Sequence, residues 1–242
     1  MGFITSDTVA LVTGGSRGIG WAAAQGLGRL GATVVVVGRE PGNADAAAAR
    51  LVSEGINAVA EFADVSNPQA LSAARERLGS LGDPDILVLS AGVMADRLTR
   101  TLRTSPAEWQ RVMSSNLDGA FYSVATFAQG MARRRSGRII GLSACLGRFS
   151  GPGTSGGLAP YRISKAGMNA LIRNLAAEMQ WGARGVLVDA VCPGHCRTDM
   201  GGPDAPRSAD EGADTVVWLA DREISEDVTT GALWEDRQIV PW

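Results

Sequence analysis

Tyr161 and Lys165 stand four residues apart, directly after Pro160, on a stretch with helical spacing. Residues four apart share one face of a helix, so a phenol and an ammonium project into the same space. A phenol ordinarily keeps its proton up to about pH 10. A neighbouring cation favours the phenolate and lowers that value. A phenol tuned in this way gives its proton to a developing alkoxide, or removes it when an alcohol is oxidised. Far upstream, Thr13, Gly14, Gly15, Ser16, Arg17, Gly18, Ile19 and Gly20 form a glycine-rich run between a valine-rich stretch and an amphipathic one. Glycines there let the backbone approach a pyrophosphate, and the helix that follows aims free N–H groups and its positive dipole end at the anion. The chain thus offers a seat for a pyrophosphate and a group that can give or take a proton.

The elements that would position these groups follow from two alternating periods. Short apolar runs at residues 9–12, 33–37, 58–62, 86–89, 138–142 and 186–191 read as strands buried on both faces. Residues 19–30, 44–54, 69–78, 106–134 and 161–181 carry helical spacing, and a last short strand is expected near 231–234. Strand–helix repetition with short connections predicts an α/β, Rossmann-like, doubly wound parallel sheet of about seven strands. No linker divides residues 1–242, so one domain is expected to hold both cradle and catalytic site. The chain is 45% hydrophobic and 20% charged, with a formal net charge of −2, which argues against a nucleic-acid partner. The basic run from Arg133 to Arg135 reads as a helix end. No segment predicts a signal peptide or a membrane span, so a cytoplasmic location is expected. Cys145, Cys192 and Cys196 are odd in number, give no disulfide framework and fit a reducing compartment.

The spacing Thr-Gly-x-x-x-Gly-x-Gly resembles that of the short-chain dehydrogenase/reductase family, classical type, and the resemblance extends over nearly the whole chain. It implies that Gly14, Ser16, Arg17, Gly18, Ile19 and Gly20 bind the cofactor, with Tyr161 and Lys165 at both cofactor and substrate. NAD-specific members tend to carry an acid where this chain has Gly38. Here Arg39 follows, a guanidinium suited to bidentate contact with a 2′-phosphate. Together with Arg17 it implies NADP(H). Asp64 and Val65 match a pair that touches the adenine. Ser90, Ala91 and Gly92 follow Leu89 where the family usually has Asn-Asn-Ala-Gly, and Pro193, Gly194 and Thr198 match the segment at the nicotinamide. Asn116 matches the helix asparagine of the proton relay. The family's catalytic serine aligns, through Gly147, with Ala144. Ser143 is the nearest hydroxyl, although on an extended strand it would face the other way; a bulge could turn it inward, or Ser150, Thr154 or Ser155 could substitute, or the site works without one.

Residues 161–165, 197–200 and 236–242 resemble the carbonyl-reductase branch. The resemblance therefore implies a ketoreductase that passes hydride from NADPH to a ketone or quinone. The same residues would serve an alcohol dehydrogenase in the oxidative direction, and Ala144 keeps open a catalytically weak NADP(H) sensor. Substrate is expected against residues 93–104, 148–159 and the stretch after Thr198. That stretch runs into a helix capped by Ser208, so the lid is short, which suits a bulky or polycyclic carbonyl such as an aromatic polyketide. Cys192, His195 and Cys196 lack a fourth ligand, so no metal is assigned, and His195 is left as a candidate for the pocket wall. Trp109, Trp181 and Trp218 read as core or subunit contacts. A homo-oligomer, dimer or tetramer, is expected because the two long helices commonly pair between subunits in this family.

Overall fold

The computed structural model describes residues 2–96, 100–225 and 228–242. Eight strands form one sheet, in the order β3 (Ala58–Phe62), β2 (Thr33–Gly38), β1 (Val9–Thr13), β4 (Ile86–Leu89), β5 (Gly137–Leu142), β6 (Val186–Val191), β7 (Leu233–Glu235), β8 (Gln238–Val240). All neighbours are parallel except β7 and β8. Sequence patterning missed β8 because its residues are half-buried or exposed at the sheet edge and carry no apolar run.

Side chains alternate along each strand, so successive residues enter different cores. Ala10, Val12, Val34, Val36, Ile86 and Val88 pack with α1 (Gly18–Arg29), α2 (Pro41–Ser53) and α8 (Ala209–Asp221) on one face. Leu11, Val35, Val37, Leu87 and Leu89 pack on the other. That layer holds α3 (Pro68–Leu78), α5 (Gly119–Phe127), α6 (Gln129–Arg134) and α7 (Ala159–Glu178). Burial on both faces is why these strands read as unbroken apolar runs.

The order reverses between β1 and β4, and a ligand crevice forms at the carboxyl ends of strands where such a reversal occurs. The stretch expected as one helix over 106–134 is divided into α4 (Pro106–Met113), a π turn at Ser114–Asp118, α5 and α6. Arg135 closes α6 in a left-handed conformation, while Arg134 pairs with Asp83 and Asp85. Among the described residues no helix is long and apolar enough to cross a membrane.

One sequence expectation is overturned here. Cys145 and Cys192 form a disulfide, with Cα atoms 5.5 Å apart. They lie 47 residues apart in sequence. Pairing of Leu142 with Val191 on adjacent parallel strands brings both cysteines to the same edge. Cys196 alone is free, and it is buried.

Candidate active site

A cleft of about 640 Å³ opens at the reversal point between β1 and β4. It is lined by Gly14, Ser16, Arg17, Gly18, Ile19, Gly20, Arg39, Asp64, Val65, Ser90, Ala91, Gly92, Ser143, Tyr161, Lys165, Pro193 and Thr198. Gly194 and Asn116, expected at the site, are not among its lining residues. The cradle has the shape a pyrophosphate needs. Gly14 adopts φ +67°, and a Cβ there would sit 2.7 Å from the Ala91 Cα. A Cβ on Gly20 would run into the Gly14 carbonyl. The turn therefore tolerates only glycine at both positions, which keeps the α1 N-terminus open to an anion.

At the mouth, Arg39 lies beside Glu40, with 3.4 Å between their charged atoms. Arg17 donates to Asp199 at 2.9 Å across the cleft, and both side chains are largely exposed. These cations are free to exchange partners, since exposed ion pairs contribute about 1 kcal/mol or less. Asp199 was not singled out in the sequence; nothing in its local pattern announces a partner 182 residues away. Gly38 presents no side chain to the cleft, and a Cβ there would lie 3.6 Å from Ser16. Asp64 accepts from the Ser66 backbone N–H and hydroxyl, which fixes the turn after β3.

Tyr161 and Lys165 lie in the first two turns of α7, and both are buried. Lys165 Nζ sits 5.8 Å from the centre of the Tyr161 ring and donates to the Leu142 carbonyl at 2.6 Å. Burial pushes the phenol up to about 12 and the ammonium down to about 8. The sequence led us to expect a lowered phenol. Desolvation wins here because Lys165 points its charge at the end of β5.

Asn116 lies in the π turn, a distortion frequent at functional sites. Its Oδ1 accepts from Val93 N at 2.7 Å, and its Nδ2 donates to Val93 O and Ser164 Oγ, both at 3.0 Å. The amide thus ties the chain after β4 to α7, and a Cβ on Gly92 would lie 3.3 Å from Asn116 Oδ1 and 3.8 Å from Lys165 Nζ. Ser143 lines the cleft, yet its hydroxyl donates to Asn169 Oδ1 at 2.5 Å and approaches the Lys165 carbonyl, both on α7. Its proton is committed there. Ala144, the next residue, joins Val93, Met94, Leu146, Leu158 and Met200 in an apolar wall around Tyr161. Thr154 and Ser155 donate to carbonyls of their own loop, Gly151 and Pro152.

His195 is exposed, bonds the Gly201 carbonyl and does not line the cleft. Its cysteine neighbours face apart: Cys192 joins Cys145, while Cys196 donates to Pro193 O. Residues 199–207 hold no helix, and α8 begins after Ser208, which forms a capping box with Glu211. Of the expected substrate segment 93–104, residues 97–99 lie outside those described.

The family described as short chain dehydrogenase matches residues 8–208 of this chain. The chain belongs to that family. Among curated proteins it is similar to the 3-oxoacyl-[acyl-carrier-protein] reductase of Pseudomonas aeruginosa, 37% identical over 204 residues, or 83% of this chain and 79% of that one. It is also similar to gluconate 5-dehydrogenase of Gluconobacter oxydans, 33% identical over 82% of this chain and 75% of that one. A crystal structure of a 3-oxoacyl-[acyl-carrier protein] reductase with bound NAD from Brucella melitensis superposes with a TM-score of 0.84 at 27% identity, covering 95% of this chain and 89% of that chain. The family's oxidoreductases act on CH–OH and carbonyl groups with a nicotinamide cofactor, and the cradle, the cleft and Tyr161 with Lys165 fit that chemistry.

Proposed function

We propose that this short chain dehydrogenase is an NADPH-dependent ketoreductase that uses Tyr161 as proton donor, acting on an activated ketone or quinone of bulky or polycyclic shape, such as an aromatic polyketide. The observation that carries the reading is Tyr161 and Lys165 in one cleft with the glycine cradle, under an apolar wall. When bound, a reduced nicotinamide supplies the hydride. Tyr161 enters neutral, because burial holds its proton far above physiological pH. A neutral phenol is the form that reduction needs, since an alkoxide is a stronger base and takes the proton. The oxidative direction needs the phenolate first. Lys165, whose Nζ lies 5.8 Å from the centre of the phenol ring and bonds the Leu142 carbonyl, is the cation available to favour the phenolate as the proton leaves. Asn116 holds Val93 and α7 in register, so the substrate wall and the proton donor keep their spacing.

Arg39 and Arg17 support NADP over NAD: two guanidiniums at the mouth match a 2′-phosphate, and Gly38 offers no acid. Ala144 narrows the substrate. With Ala144 in place of a second hydroxyl beside Tyr161, the site favours a carbonyl already polarised by its own substituents, as in a quinone or a β-dicarbonyl. Relatives named for reduction of a 3-oxoacyl group fit the second of these. The stretch from 199 to 207 carries no helical cover, which leaves room for fused rings. Exposed Phe121 on α5 and Ile163 on α7 support assembly of a homo-oligomer through these helices.

The test is consumption of NADPH, with NADH in parallel, against quinones, polycyclic ketones and small aldehydes. Turnover of the first two groups with NADPH and little with NADH is expected. Tight NADPH binding with no turnover would refute the reductase reading and favour a cofactor sensor.

A further inference from the structure

We propose that Cys145–Cys192 is a thiol–disulfide exchange site that links the redox state of the chain to the two loops flanking the reaction centre. Its position carries the argument. Ala144 belongs to the wall around Tyr161, and Cys145 opens the turn Cys145–Gly147 that follows it. That turn lies tight on α7: a Cβ on Gly147 would come within 2.8 Å of the Lys165 backbone. On the other side, Cys192 directly follows β6 and is followed in turn by Pro193, which lines the cleft. The sheet holds these segments together only as far as Ser143 N–H, which donates to Val191 O at 2.8 Å. Past that bond no backbone hydrogen bond joins the two segments among the described residues, and Cys192 N–H donates to Trp234 O at 2.8 Å on the β7 side. The disulfide is the next link between the substrate wall and the Pro193 loop.

The two sulfurs differ in access. Cys192 is 1% exposed, whereas Cys145 is half-buried at the surface. An incoming thiolate therefore meets Cys145 first. Glu235 lies against both, 3.5 Å from Cys145 Sγ and 3.6 Å from Cys192 Sγ, and Arg148 holds it by its other oxygen at 3.6 Å. Opening the bond leaves two S–H groups with a carboxylate acceptor in place, so the reduced state strands no polar group. A bond whose reduced partners are already provided for is suited to open and close.

The chemistry needs a dithiol reductant. One of its thiolates attacks Cys145 Sγ, the S–S bond breaks, and Cys192 leaves as thiolate and takes a proton from solvent. The second thiolate then attacks the mixed disulfide, releases Cys145, which is protonated in turn, and departs as a disulfide. Two electrons pass from reductant to protein. Freed of the link, the segments 143–149 and 193–197 gain motion beside Tyr161 and the cradle.

The test counts thiols and follows the backbone, so its outcome does not depend on the substrate class. Protein isolated under air and then denatured should show one reactive thiol per chain, Cys196. The native protein, treated with dithiothreitol and then denatured, should show three. Amide hydrogen exchange in segments 143–149 and 193–197 should quicken on reduction, and C145A should show the fast pattern with no response to dithiothreitol. Three thiols before reduction would overturn the proposal, and so would one thiol after native reduction, which would mean a sealed cross-link. Retention of one zinc ion per reduced chain by Cys145, Cys192 and Glu235 would overturn it in favour of a metal site. Should C145A fail to fold, the exchange comparison on the wild-type chain still decides.

Discussion

Ala144→Ser restores a hydroxyl to the wall around Tyr161, and its effect should depend on the substrate. Ala144 is extended, with φ −160° and ψ 154°, so its side chain faces opposite to that of Ser143. Ser143 points into α7 and bonds Asn169. A serine at 144 would therefore place its Oγ among Val93, Met94 and Leu146, on the Tyr161 side. One positioned donor at a developing oxyanion contributes about 10²–10³ in rate, and recovering part of that predicts a rise of about 10–100-fold in kcat on an unactivated cyclic ketone. A quinone, polarised by its own ring, should gain less than about threefold, under 1 kcal/mol of barrier. The assay is the initial rate of NADPH oxidation at saturating cofactor for both substrates in both variants. Ser143→Ala serves as the control: it should lower stability by about 1 kcal/mol through loss of the bond to Asn169, with kcat nearly unchanged. Flat ketone rates in Ala144→Ser, together with collapse of all activity in Ser143→Ala, would refute the reasoning and make Ser143 the donor.

Further outcomes follow from the buried charges and the cleft mouth. Lys165 titrates near 8 when folded and near 10.5 when free, so the folded state binds its proton less tightly. The charged form then destabilises the fold below pH 8, and stability recovers as pH rises from about 8 to 10.5. Lys165→Met should remove that pH dependence and, at pH 7, stabilise the chain by about 2 kcal/mol, the desolvation cost of about 3 less about 1 for the lost bond to Leu142. Urea denaturation at pH 7 and pH 10 checks both, while turnover is lost. Arg39→Ala should raise the NADPH KM by about 10–100-fold, the worth of a charge-assisted bond to phosphate, and leave the NADH KM unchanged. Equal loss with both cofactors would refute the 2′-phosphate assignment.

What the sequence made legible was local or repeated. The cradle between Thr13 and Gly20 is contiguous, Tyr161 and Lys165 share a helix turn, and six apolar runs mark the first six strands. Most of the expected cofactor residues meet in one cleft because they follow the carboxyl ends of parallel strands, with Tyr161 and Lys165 brought there by the start of α7. The rest depends on contacts between distant segments or on competing energies. Cysteine parity gave no hint of Cys145 and Cys192, which the β5–β6 register joins. The pair Arg17–Asp199 bridges the first loop and the sixth. The π turn at Ser114–Asp118 leaves the helical pattern intact in sequence while changing where Asn116 points. The direction of the Tyr161 shift followed from burial, which spacing alone does not reveal.

The central claim is that the Tyr161 phenol delivers the proton in a reaction of a bound nicotinamide. Tyr161→Phe keeps the ring in its apolar wall and removes only the hydroxyl. NADPH binding by fluorescence and kcat/KM on the best substrate of the panel should be measured side by side. The account predicts an unchanged Kd and a loss of about 10²–10⁴ in kcat/KM, the usual contribution of a positioned acid. Turnover preserved in Tyr161→Phe would contradict it.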